Sequence, residues 1–148
     1  MENMTIGVKK GSANPRAEFN VLAASGLTIA AEGIRYQVAG NQFLGPANSE
    51  VGRYDDTQVP SVVWGTDGDG VNDAEEGNLF PTTEPTFYGT GNKVFVLAGN
   101  IFGLERNGSW PNVGVFALGD MSFNNRTKVR FGSNFDGLND DLEANTLY

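Results

Sequence analysis

The chain of 148 residues contains neither cysteine nor histidine. Without cysteine there are no disulfides and no thiolate metal sites. Without histidine the commonest general base and transition-metal ligand is gone. The seven serines therefore have no triad partner, and no G-x-S-x-G elbow or G-x-x-x-x-G-K-[ST] phosphate loop occurs. Long apolar runs are also missing: no stretch of eighteen apolar residues exists to form a membrane span. The first ten residues, MENMTIGVKK, have no basic segment followed by an apolar one, which predicts a chain made in the cytoplasm without a secretory signal. Bases are absent from two whole regions. Residues 54–92 carry eight acids and residues 131–148 four, in neither case with a single Lys or Arg. The net charge of −8 repels phosphate backbones, so nucleic acid is not an expected partner.

What is present is apolar enough to fold. At 39% apolar and 11% aromatic residues the chain lies outside the disordered class, and its length favours a single domain. Twenty glycines and no convincing amphipathic helical window point to a turn-rich β protein. Short strands are expected at Phe19–Leu22, Leu27–Ala31, Ile34–Val38, Ser61–Trp64, Lys93–Ala98, Asn100–Glu105, Val113–Leu118 and Thr127–Phe131, because apolar and β-branched residues alternate or cluster there. Asn107-Gly108 reads as a hairpin tip. Asp73–Glu76 and Asp140–Glu143 read as the beginnings of single helical turns.

One segment occurs twice. Residues 62–76 are matched 67 residues later by residues 129–143, with seven of fifteen positions identical and four more conservative. The same offset lays Leu27, Ile29, Ala31 and Ile34 on Val94, Val96, Ala98 and Ile101, and Phe43 on Trp110. The pattern predicts an all-β compact sandwich or barrel built from two similar halves, about 19–80 and 91–148. Residues 1–18, polar and interrupted by Gly and Pro, read as an extended N-terminal arm that orders on a neighbouring chain.

The repeated segment ends in an Asp-Gly loop. Hard cations take six to eight oxygens, and short acidic loops present them at alternate positions around a sharp glycine turn. With Gly65 at the first position, the ligands fall on Asp67, Asp69, the Val71 carbonyl, Asp73 and Glu76. The second loop offers Asn134, Asp136, the Leu138 carbonyl, Asp140 and Glu143. Both loops resemble the DxDG calcium loops of thrombospondin type 3 repeats, FG-GAP propeller blades and dockerins. That resemblance implies Ca2+ at the first loop before the second, which has Asn134 in place of an acid. Both depart from those families in having Gly65 and Gly132 where the first carboxylate would stand.

An enzyme is not expected, since every acidic cluster falls in Gly/Asn-rich turns rather than in a paired-carboxylate arrangement. In composition and layout the chain resembles the head decoration (cement) proteins of tailed bacteriophages. The resemblance implies a non-enzymatic virion module that binds a major capsid or other virion protein and further copies of itself, with no membrane partner. The alternative is a calcium-binding extracellular adhesion or surface module.

Overall fold

A computed structural model of the chain describes residues 3–23, 26–28, 35–44, 50–54, 61–83, 85–89, 94–103, 109, 121–123, 128–133 and 137–147. Fourteen strands are present among them: β1 (Asn3–Gly7), β2 (Val21–Leu22), β3 (Gly26–Thr28), β4 (Arg35–Ala39), β5 (Gln42–Phe43), β6 (Glu50–Tyr54), β7 (Ser61–Gly65), β8 (Leu79–Phe80), β9 (Phe87–Gly89), β10 (Val94–Ala98), β11 (Ile101–Phe102), β12 (Met121–Phe123), β13 (Lys128–Phe131) and β14 (Thr146–Leu147). Two four-residue helices, α1 (Asp73–Glu76) and α2 (Asp140–Glu143), and a 3-10 turn at Pro15–Glu18 complete the list.

The strand order defines the architecture. One sheet runs β1-β4-β7-β10-β13, a second β14-β11-β8-β5-β2 and a third β12-β9-β6-β3. Neighbours in every sheet are three strands apart in the chain, and each pairing among the described residues is parallel. The chain therefore visits the three sheets in turn and then begins again one strand spacing further on. This is a parallel β-helix of four three-stranded coils and a fifth that contributes β13 and β14. The register partners Asn3, Arg35, Ser61, Val94 and Lys128 lie 32, 26, 33 and 34 residues apart.

This corrects the expected sandwich or barrel of two halves. Alternation of apolar and polar residues marks a half-buried strand but does not say whether its neighbour runs parallel or antiparallel. The repeating unit is the coil, and the 67-residue offset spans two of them, which is why residues 62–76 and 129–143 match. Trp64 and Phe131 indeed share one column of the first sheet, through Leu97. Leu27, however, belongs to the third sheet and Val94 to the first. Those two segments are not equivalent, and Ile29–Ile34, Val113–Leu118, Asn107-Gly108 and Trp110 lie outside the described residues.

The extended arm is corrected too. β1 is the first strand of the first sheet, paired with β4 from Asn3 to Gly7, and Val8 is fully buried. Residues 9–18 form a loop that folds onto α1: Lys10 pairs with Asp67 and Asp69, Arg16 with Glu75, and Asn72 Nδ2 donates to the Ser12 carbonyl at 3.2 Å. The polar segment finds its order on the next long loop of its own chain.

Two kinds of column hold the coils together. Phe43, Phe80 and Phe102 occupy one position of the second sheet and stack with centroids 4.8 and 4.9 Å apart, which is the strand spacing itself. Trp64, Phe87 and Phe95 pack edge-on beside them, and burying each such ring stabilises the fold by roughly 1.5–3 kcal/mol. At the corner between first and second sheets runs a column of asparagines. The Nδ2 of Asn20, Asn41, Asn78 and Asn100 each donates to the Oδ1 of the next member, ending on Asn145, at 3.0–3.2 Å. The same amides also serve the corner carbonyls, for example Asn78 Nδ2 to Val38 O at 2.7 Å and Asn100 Nδ2 to Trp64 O at 2.9 Å. Buried backbone at a tight corner needs such partners.

Candidate metal centre

The corner after the first sheet alternates between two forms. In coils 2 and 4 it is tight, a Gly-Asn pair (Gly40-Asn41, Gly99-Asn100); in coils 1, 3 and 5 it opens into a long loop. The loop of coil 3, from Thr66 to Asn78, carries the first acidic sequence and α1. Its geometry follows from local hydrogen bonding. Thr66 Oγ1 donates to Asp73 Oδ1 at 2.8 Å, and Gly70 N donates to Asp73 Oδ2 at 3.1 Å. Asp67 Oδ1 accepts from Asp69 N at 3.2 Å, and Asp69 Oδ1 accepts from Val71 N at 2.9 Å, the Asx-turn habit of aspartate. Asn72 precedes α1 in the left-handed conformation, φ 64°, which asparagine tolerates better than most residues.

The result brings Asp67, Asp73 and Glu76 together, with one carboxylate oxygen of each within 4.8 Å of the others. Asp73 and Glu76 are buried, and Asp67 remains partly open, its side chain 26% exposed. Asp67 also borders a cleft of about 310 Å³ over β1, β4 and β7. Glu76 is the unusual member. It is wholly buried; Oε2 accepts from Asp67 N at 3.2 Å, while Oε1 has no hydrogen-bond partner. A buried charge without partners is costly. Burial, then the neighbouring Asp67, Asp69 and Asp73, push its pKa up to about 7. Burial and the charge of Asp69 likewise raise Asp67.

Of the five residues predicted for this loop, three converge. Asp69 is not among the three: its Oδ2 lies 2.5 Å from Lys10 Nζ. Burial pushes the Asp69 carboxyl upward, but Lys10 and the Val71 N–H hold it below its ordinary value. Val71 stays exposed on the rim. In the second loop, Asn134 and Asp136 lie outside the described residues, and Leu138 is exposed. Asp140 and Glu143 repeat the scaffold of their counterparts: Ser133 Oγ donates to Asp140 Oδ1 at 2.6 Å, Gly137 N to Asp140 Oδ2 at 3.1 Å, Asn139 has φ 56°, and Glu143 is buried. The two loops touch, since Asn139 Nδ2 donates to Asp73 Oδ2 at 3.3 Å.

Sequence reasoning passed over the asparagine column and its role in closing the loops. Its signal was legible as Gly-Asn-x-Phe, present at Gly40–Phe43, Gly77–Phe80 and Gly99–Phe102. Chemically, the coil 3 cluster offers three carboxylates, no nitrogen and no sulfur, in a partly desolvated setting. That donor set suits a hard divalent cation rather than a soft transition metal. No protein family, curated protein or solved structure matches the chain.

Proposed function

We propose that the chain is a non-enzymatic structural module, a β-helix whose coil 3 loop binds Ca2+ through Asp67, Asp73 and Glu76. The observation that carries this reading is Glu76: a buried carboxylate with one oxygen unsatisfied and two further carboxylates beside it. A dication supplies the missing partner and offsets the mutual repulsion of the three acids. Calcium fits better than magnesium, because it accepts irregular oxygen shells, whereas magnesium demands near-ideal octahedral geometry. The loop's contacts give the ion a mechanical role. α1 touches the coil 1 loop through Arg16 and Ser12 and the coil 5 loop through Asn139, so fixing α1 fixes three coils at once.

Of the two functional settings expected, this favours the calcium-binding surface or adhesion module. The capsid-decoration reading drew on composition and on a terminal arm, and the arm's strand β1 and the Lys10 and Arg16 side chains pair within the chain itself. The test is calorimetric titration of the whole chain with Ca2+ and with Mg2+, in parent and Glu76→Gln. The expected result is calcium heat in the parent, little with magnesium, and none in the variant. Absence of calcium heat in the well-folded parent overturns the reading.

A further inference from the structure

The coil 3 cluster is short of oxygens for the ion it suits. Calcium takes about six to eight, and the carboxylates of Asp67, Asp73 and Glu76 are already partly engaged. Asp73 Oδ1 accepts from Thr66 Oγ1, and Oδ2 accepts from Gly70 N and Asn139 Nδ2. Glu76 Oε2 accepts from Asp67 N, and Asp67 Oδ1 from Asp69 N. Only Glu76 Oε1 and Asp67 Oδ2 carry no hydrogen bond from within the loop. A fourth carboxylate would complete the shell, and Asp69 is the next one along.

Asp69 is held by a cation from another coil. Lys10 Nζ lies 2.5 Å from Asp69 Oδ2 and 3.6 Å from Asp67 Oδ2, so one ammonium bridges a cluster ligand and its neighbour. The shorter contact is the length of a calcium–oxygen bond, about 2.3–2.6 Å. The coil 1 loop does not depend on this ammonium for its shape. Lys9 N and Ser12 Oγ donate to the two carboxylate oxygens of Glu18, Asn72 Nδ2 donates to Ser12 O, and Arg16 pairs with Glu75. The Lys10 side chain is 62% exposed, so its ammonium can return to water while the loop stays in place.

We infer that Lys10 is a built-in placeholder for the dication: Ca2+ displaces its ammonium, and Asp69, once released, closes on the ion as a fourth carboxylate. The inference rests on the calcium reading of the coil 3 loop and adds what sets the affinity there. Without the ion, the ammonium offsets the repulsion between Asp67 and Asp69. A dication brings twice the charge to the same oxygens and also reaches Asp73 and Glu76, so it wins the exchange. A monovalent ion brings no more charge than the ammonium it must displace.

The test is calorimetric titration of the whole chain with Ca2+ in the parent, Lys10→Met, Asp69→Asn and the double variant, each checked for a parent-like circular dichroism spectrum. Lys10→Met should bind severalfold more tightly than the parent. In the Lys10→Met background, Asp69→Asn should weaken binding at least about tenfold, because ligand charge sets much of the affinity. Side-chain NMR gives a second readout. The Lys10 ε-methylene signal, assigned by its loss in Lys10→Met, should shift on calcium saturation as the ammonium leaves Asp69. Calcium binding that is indifferent to Asp69→Asn in the Lys10→Met background overturns the exchange and leaves the three-carboxylate site standing. A Lys10 signal that stays in place while calcium binds does the same. No calcium heat in either the parent or Lys10→Met overturns the calcium reading, and the exchange with it.

Discussion

The coil 3 and coil 5 loops have nearly the same local build and very different surroundings. Each begins after a positive-φ glycine, ties its first aspartate of the helix to a Thr or Ser hydroxyl, turns through a left-handed asparagine and buries a glutamate. The coil 3 loop is flanked on both sides, by the coil 1 loop and by α2; among the described residues the coil 5 loop meets the coil 3 loop through Asn139. Sequence similarity thus sets the shape of a loop, while its position in the stack sets the electrostatic state of its acids. A carboxylate cluster closed between neighbours loses solvent, and lost solvent is what raises Glu76 and Asp67.

The comparison breaks hardest at the glycines that open the loops. Gly65→Ala drives a methyl into the Ala98 carbonyl and forces a positive φ, so it should cost at least about 3 kcal/mol or prevent folding. Gly132→Ala has the φ strain alone and should cost about 1–2 kcal/mol by denaturant melting. Equal losses would mean that the coils are not stacked as described.

The asparagines that close the loops come next. Asn78 is fully buried and serves Asn41, Val38 and Asn100 together. Asn78→Ala leaves several groups unsatisfied at about 1–3 kcal/mol each. Asn145 ends the column partly exposed, and its removal should cost nearer 1 kcal/mol.

Glu76 predicts a pH dependence for the cation-free protein. Its folded pKa, about 7, lies above the ordinary 4.5, so the folded state holds the proton more tightly than the unfolded state between those values. Stability should be highest at and below the ordinary value and fall as pH rises through about 7. Thermal melts across pH should show that slope in the parent and lose it in Glu76→Gln. Calcium binding has the opposite dependence, strengthening as the carboxyl deprotonates.

The smallest effect belongs to Lys10, which sits beside Asp67 and Asp69 and has its own pKa raised chiefly by the hydrogen bond to Asp69. Its side chain is 62% exposed, so Lys10→Ala should change stability by less than about 1 kcal/mol. Removing a competing cation should tighten calcium binding severalfold in the same titration.

Strands were legible where β-branched and aromatic residues crowd, as at Ser61–Gly65 and Val94–Ala98, and both one-turn helices were legible from their acids after asparagine. The parallel topology was not. Coils of 26 to 34 residues drift too much for a simple period, and two-residue strands such as Gln42–Phe43 carry no alternation to count. The acidic loop was visible as a cation motif, but its membership was not, since Asp69 is drawn off by Lys10 from a distant loop. The segment around Lys10 was misjudged for the same reason: its partners are some sixty residues away.

The central claim, a calcium centre closed by Glu76, is tested most directly by thermal melting of the parent with calcium and with chelator at a pH above about 7, where Glu76 is ionised. The account predicts a clear calcium-dependent rise in Tm, equivalent to about 2.7 kcal/mol at a hundredfold excess over Kd, and no rise in Glu76→Gln. Superimposable melts of the parent with calcium and with chelator would contradict it.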